Sequence, residues 1–90
     1  MIKNITLTGN AETVGYAVDS IKDKKIRYQV EGAADSFRFD EYEVLSISLV
    51  PSKGDPYHLI AKIQLKGKLA DIGLLRTLVS KTYNTLAVKG

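Results

Sequence analysis

The sequence predicts an α+β domain in which an antiparallel sheet of four to five strands, arranged as a meander, packs on one C-terminal helix. Apolar and polar residues alternate from Tyr57 to Lys66, which is the period of a half-buried strand. Helical periodicity follows at once, from about Leu69 to Leu86, with an apolar arc wide enough to cover one side of a sheet. The 90 residues suffice for a single domain, 1–90, with one core.

The first strand is predicted at 5–8, where apolar and polar residues alternate. Gly9-Asn10, which is typical of a turn or a helix cap, ends it. Residues 11–24 fit two structures. As a helix the segment would be capped by Asn10, and its apolar residues would share one face: Val14, Ala17, Val18 and Ile21. As a strand it would lead through the loop 22–25 into the next strand, and Gly15 would cost less than in a helix. We favour the strand and keep an extra helix at 11–24 as the alternative.

Two further strands are predicted in the middle of the chain. Residues 26–30 alternate, and Phe37 and Phe39 lead through an acidic step into the alternating residues 45–49. The segment Pro51–Pro56 contains two prolines and a glycine, which suit a turn. It therefore predicts a hairpin with long strands on both sides, which we expect at the centre of the sheet.

Composition excludes several classes of protein. Hydrophobic residues make up 44% and charged residues 26%, as in ordinary globular domains. No apolar run approaches the roughly 18 residues of a membrane span, and the N-terminus lacks a signal pattern. The chain has no cysteine, which excludes disulfides and thiolate zinc sites. We expect a cytoplasmic protein without membrane contact.

Catalytic equipment is nearly missing from the sequence. The single histidine, His58, is expected on the exposed face of the last strand. A lone exposed histidine is typically a surface residue without a catalytic or metal-binding role. Lys66-Gly67-Lys68 lacks the spacing of a phosphate-binding loop, and the acidic residues at 35–43 lack the spacing of a calcium loop. We therefore expect no enzyme activity, no cofactor and no metal.

The positive charge is concentrated at the C-terminal end. Residues 57–90 contain six cations and one acid, whereas residues 25–56 contain four cations and six acids. On the sheet face away from the core, alternation places hydroxyls, amides and cations that suit phosphates and base edges. The predicted nucleic-acid-binding residues are Arg27, Lys62, Gln64, Lys66 and Lys68. Tyr42 and His58 are the only aromatic side chains that we expect on this face and that could stack on bases.

The outward side of the C-terminal helix shows a narrow stripe of small or neutral residues: Gly73, Thr77, Ser80 and Asn84. Solvated helix faces normally carry long charged residues, and a glycine inside a helix costs ~1 kcal/mol relative to alanine. Small residues allow another element to approach closely. The stripe therefore predicts the interface of a homodimer or a contact with a partner protein.

These patterns together favour a non-catalytic protein that binds nucleic acid, preferably single-stranded, as a homodimer. The alternative is a small protein-interaction or inhibitor module, of the size that phages and mobile elements encode, that occludes a partner protein. The feature that discriminates between them is whether the cations of the last strand gather with Arg27 on one open face.

Overall fold

The computed structural model describes all residues from Met1 to Gly90 and contains two helices packed on one face of a four-stranded antiparallel sheet. The predicted α+β class with a helix near the C-terminus is confirmed. In chain order the elements are β1 (Ile2–Asn10), α1 (Ala11–Lys22), β2 (Arg27–Gln29), β3 (Ser36–Arg38), β4 (Glu43–Ser52), β5 (Asp55–Lys66), α2 (Leu69–Thr82) and β6 (Ala87–Lys89).

The order of strands in the sheet is β4-β5-β1-β6, whereas β2 and β3 form a separate two-stranded sheet. A meander would place strands in chain order, so that part of the prediction is wrong. The β4–β5 hairpin is also not central, because β4 is an edge strand. The reason is that α1 returns the chain across the sheet, which leaves both sides of β1 free to pair with the later strands β5 and β6.

Residues 11–22 form helix α1, so the favoured strand is wrong and the alternative is correct. The Asn10 side chain accepts hydrogen bonds from the backbone N–H of Glu12 at 3.0 Å and of Thr13 at 3.5 Å. This cap satisfies N–H groups that have no partner within the helix. The apolar residues of one face are all buried: Val14, Ala17, Val18 and Ile21. Capping and burial together outweigh the cost of Gly15.

The core lies between the helices and the inward side of the sheet. Seventeen hydrophobic residues are buried, and no polar or charged residue is. In β5 the inward alternation is as predicted, with Ala61, Ile63 and Leu65 buried and Leu59 partly buried. The core-facing residues of α2 are Ile72, Leu75, Leu78 and Val79.

Helix α2 ends at Thr82, four residues before the predicted end, and the chain turns into the short strand β6. Leu86 is buried, but in the connection to β6 and not on the helix. It packs against β1 at Gly9, where a Cβ atom would lie 2.5 Å from Leu86 Cδ2. The lack of a side chain at Gly9 therefore allows this close approach.

Neither α1 nor α2 has the length and the apolar composition that a transmembrane helix needs.

The small β2–β3 sheet is held to the body by an aromatic cluster. Phe39 is buried and donates its backbone N–H to the carbonyl of Ile26 at 2.9 Å. The Phe39 ring stacks on Tyr42 with centroids 5.9 Å apart and meets Tyr28 edge-on at 6.4 Å. These contacts pack β2 and β3 beside the C-terminal end of α1 and away from the main sheet.

The outer end of the β4–β5 hairpin departs from regular pairing. Its turn is Lys53-Gly54, with a positive φ of 81° at Gly54. The register shifts between Pro51 and Ser52, which pair with Leu59 and Asp55 respectively. Pro56 has no N–H to give to the ladder, which explains why the strand bulges here. Tyr57 is 76% exposed, so the inward alternation of β5 does not extend to it.

Candidate nucleic-acid interface

The sheet face opposite the helices is uncovered, and β5 runs through its middle. Lys62, Gln64 and Lys66 alternate with the buried residues of β5, so they share this open face as predicted. Lys62 and Lys66 are exposed, whereas Gln64 is partly buried. We call the uncovered side of this sheet the open face.

A third lysine joins the open face through β6. Lys62 pairs with Thr6 of β1, and Thr6 pairs on its other side with Lys89 of β6. Neighbouring strands lie about 4.7–4.9 Å apart, so the backbones of Lys62 and Lys89 are separated by about 10 Å. The sequence did not predict Lys89, because β6 is only three residues long and too short to show alternation.

Hydroxyl and amide groups fill the space between these lysines. Lys62 pairs on the other side with Ser48 of β4, and Gln64 lies between Asn4 of β1 and Ser46 of β4. Four hydroxyl residues of β1 and β4 lie on this face: Thr6, Thr8, Ser46 and Ser48. The face therefore presents hydrogen-bonding groups around three cations.

Carboxylates lie at the ends of the open face. Glu43 of β4 is directly opposite Lys66 in the register. Asp55 lies at the outer end of the hairpin, where its Oδ2 is 2.6 Å from Nδ1 of His58. The backbone N–H of Tyr57 donates to Asp55 at 2.9 Å and is the main cause that lowers the pKa of this carboxyl, with His58 contributing as well. The middle of the face, around Lys62, has no acid in its register.

Two of the predicted cations do not lie on this face. Arg27 is in β2 and pairs with Arg38 of β3, so its placement on the main sheet is wrong. The cause is that β2 spans only three residues and its flanks are loops. Lys68 follows the end of β5 and occupies the position before α2, so it lies at the border of the face and outside its strands.

The predicted aromatic partner Tyr42 is buried, which corrects its expected place on the open face. Its hydroxyl donates to the carbonyl of Ile21 at 2.6 Å, and burial raises its pKa to about 12. His58 does reach the open face, opposite Asn10. Exposed rings occur elsewhere: Phe37 is 45% exposed and its centroid lies 5.7 Å from that of Tyr28, in the β2–β3 sheet.

The small-residue stripe of α2 is open to solvent. Thr77 and Ser80 are exposed, and Thr77 Oγ1 donates to the carbonyl of Gly73 at 3.0 Å. Thr77 and Ser80 line a shallow groove of about 300 Å³ between α2 and β6. Asn84 lies beyond the end of the helix, in the turn before β6, so its assignment to the helical stripe is wrong.

No protein-family model matches this chain, and no curated protein matches it either. The structure contains no cluster of three or more His, Asp or Glu side chains that could hold a metal ion.

Proposed function

We propose that the protein binds nucleic acid, preferably single-stranded, through the open face of its sheet, and that it acts as a homodimer without catalysing a reaction. The observation that carries this proposal is the row across all four strands of the main sheet in which Ser48, Lys62, Thr6 and Lys89 follow one another on the open face. A flexible strand laid along this row would meet cations and hydroxyl donors in alternation.

The composition of the face favours contacts to the backbone of the nucleic acid. Lysine ammonium groups neutralise phosphates as point charges, and hydroxyl and amide groups donate to phosphate oxygens. The rings of Tyr28 and Phe37 lie in the other sheet, and the His58 ring lies at the outer end of the open face beside Asp55, so base stacking has little part in this mode. We therefore expect binding that depends strongly on salt and little on base sequence.

A lysine-to-alanine pair tests the proposal. Lys62 is exposed in the middle of the open face, whereas Lys81 is exposed on α2, in the layer of helices. Fluorescence anisotropy of a labelled oligothymidylate should show weaker binding for Lys62→Ala and unchanged binding for Lys81→Ala. Equal losses in the two variants would mean that the open face has no special role.

The alternative function is a protein-interaction or inhibitor module that occludes a partner. Two observations favour it. Arg27 does not lie with the cations of β5 on the open face. Large apolar side chains are also exposed on both sides of the outer half of β4, Leu49 on the helix side and Val50 on the open face. If the oligonucleotide does not bind to the wild-type protein in low salt, this alternative replaces nucleic-acid binding.

A further inference from the structure

The two edges of the main sheet differ in how well they are protected against pairing with another strand. The β6 edge is three residues long and includes Lys89. Short edge strands and edge lysines are common means of blocking such pairing. The β4 edge is ten residues long, and from Val44 to Ser52 it contains no charged residue.

Within β4 the segment Ser46–Val50 is regular. Register shifts occur before Ser46 and after Pro51, but not between them. The unpaired side of this segment presents backbone N–H and C=O groups in strand geometry. Pro51 lacks an N–H and ends the stretch that could add a further strand.

Apolar side chains beside this edge are uncovered. Ile47 and Leu49 point to the helix side of the sheet, since they pair with the buried residues Ile63 and Ala61. Helix α1 does not reach over Leu49, which is 51% exposed. Next to the other half of the strand, a groove of about 440 Å³ runs between β4 and the end of α1, lined by Lys22, Lys24, Tyr42, Glu43, Val44, Ser46 and Ile47.

We propose that a second copy of this chain pairs with β4, edge to edge and antiparallel, so that two four-stranded sheets form one continuous sheet of eight. The midpoint of the regular segment is Ser48, so the two-fold axis passes beside Ser48 and pairs it with Ser48 of the second copy. In this register Ile47 lies opposite Leu49 of the second copy on the helix side. Each exposed leucine then enters the groove beside α1 of the other molecule.

The charges that border the strand agree with this register. Glu43 and Lys53 lie at equal distances along the chain from Ser48, on opposite sides of it. The register shifts on both sides of Ser46–Pro51, so regular pairing does not extend to these two residues. An antiparallel pair nevertheless places the Glu43 end of each strand beside the Lys53 end of the other. The edge is thus complementary to itself in hydrogen bonding, in apolar contact and in charge, which are the requirements of a two-fold interface.

This pairing also extends the open face. A two-fold axis perpendicular to the sheet keeps both open faces on the same side. Lys62, which pairs with Ser48, is then followed across the interface by Ser48 and Lys62 of the second copy. The dimer does not depend on nucleic-acid binding, however, because the contacts that form it are made by protein alone.

The test is sedimentation velocity of the protein alone over a range of concentrations. We expect the wild type to dimerise and Leu49→Lys to raise the dimer dissociation constant at least tenfold, because the interface would bury the new charge. The comparison variant is Thr77→Glu on the stripe of α2, which the sequence predicts as the homodimer interface; if β4 forms the dimer instead, this variant should leave the constant unchanged. Far-UV circular dichroism and the urea midpoint establish that each variant is folded.

A charge exchange provides a second, independent test. Glu43→Lys and Lys53→Glu should each weaken the dimer, since each places two like-charged pairs across the interface, and the double variant should restore it. A wild type that stays monomeric at all concentrations would overturn the proposal. So would an unchanged constant for Leu49→Lys, a loss of the dimer in Thr77→Glu alone, or a double variant no better than the singles.

Discussion

At the scale of single residues, Tyr42 is a side chain that the sequence places on the open face and that the structure buries in the core. Its hydroxyl donates to the carbonyl of Ile21 near the end of α1, and its ring stacks on Phe39. Lys24 Nζ lies over the Tyr42 ring, 3.6 Å from its centroid. Lys24 itself has a positive φ of 58°, which allows the chain to leave α1 in this direction. Sequence alternation could not reveal this cluster, because Phe39, Tyr42 and Lys24 lie outside the regular elements.

The buried phenol of Tyr42 predicts a specific dependence of stability on pH. In the unfolded chain a tyrosine loses its proton near pH 10, whereas in the folded protein burial raises the pKa of Tyr42 to about 12. The contribution of the protonated phenol to the free energy of unfolding is therefore complete below about pH 10 and is lost as the pH rises through about 12. Tyr42→Phe should remove this loss.

At neutral pH, Tyr42→Phe should lower the free energy of unfolding by about 1–3 kcal/mol, because the carbonyl of Ile21 loses its buried donor. Urea unfolding of both proteins from neutral pH to about pH 12 measures the two effects. The other tyrosines and lysines titrate in both proteins, so the difference between the curves isolates Tyr42. Parallel curves would contradict the assignment.

At the scale of elements, periodicity predicted the long segments and missed the short ones. β5 and the first three turns of α2 were predictable because their apolar residues recur at a regular spacing over many positions. These residues are buried in the structure: Ala61, Ile63 and Leu65 in β5, and Ile72, Leu75 and Val79 in α2. For α1 the apolar residues at 14 and 18 fit a helix or a strand, and the Asn10 cap decides in favour of the helix. β2 and β6 have three residues each, and their pairing depends on distant strands.

The glycines in the two helices give a test at the same scale. A Cβ atom at Gly15 or at Gly73 would meet nothing within 4 Å. Replacing either glycine by alanine should therefore stabilise the protein by roughly 0.5–1 kcal/mol, because alanine loses less backbone entropy in a helix. Urea unfolding under monomeric conditions measures this gain.

Gly9→Ala is the matched control, since its Cβ atom would lie 2.5 Å from Leu86 Cδ2 and the buried leucine would have to move. We expect this variant to be less stable than the wild type. If Gly73→Ala were instead destabilising, this would contradict the open space that the structure shows around a Cβ atom at Gly73.

At the scale of the whole molecule, the strand order decides which cations share a surface. Local alternation correctly placed Lys62, Gln64 and Lys66 on one face. It could not show that β6 returns to pair with β1 and brings Lys89 beside Thr6, or that β2 leaves the main sheet with Arg27. Such placements follow from tertiary packing between distant segments, and no local pattern encodes them.

Salt dependence of oligonucleotide binding tests most directly the central claim, that the open face binds nucleic acid through its lysines. For single strands the slope of log affinity against log salt is about −0.7 per neutralised phosphate, so Lys62, Lys66 and Lys89 of one chain predict about −2, and a strand crossing two copies about −4. Lys62→Ala should reduce the steepness of the slope, whereas Lys81→Ala should leave it unchanged. No binding by the wild type at about 50 mM salt, or a slope that Lys62→Ala does not alter, would contradict the account.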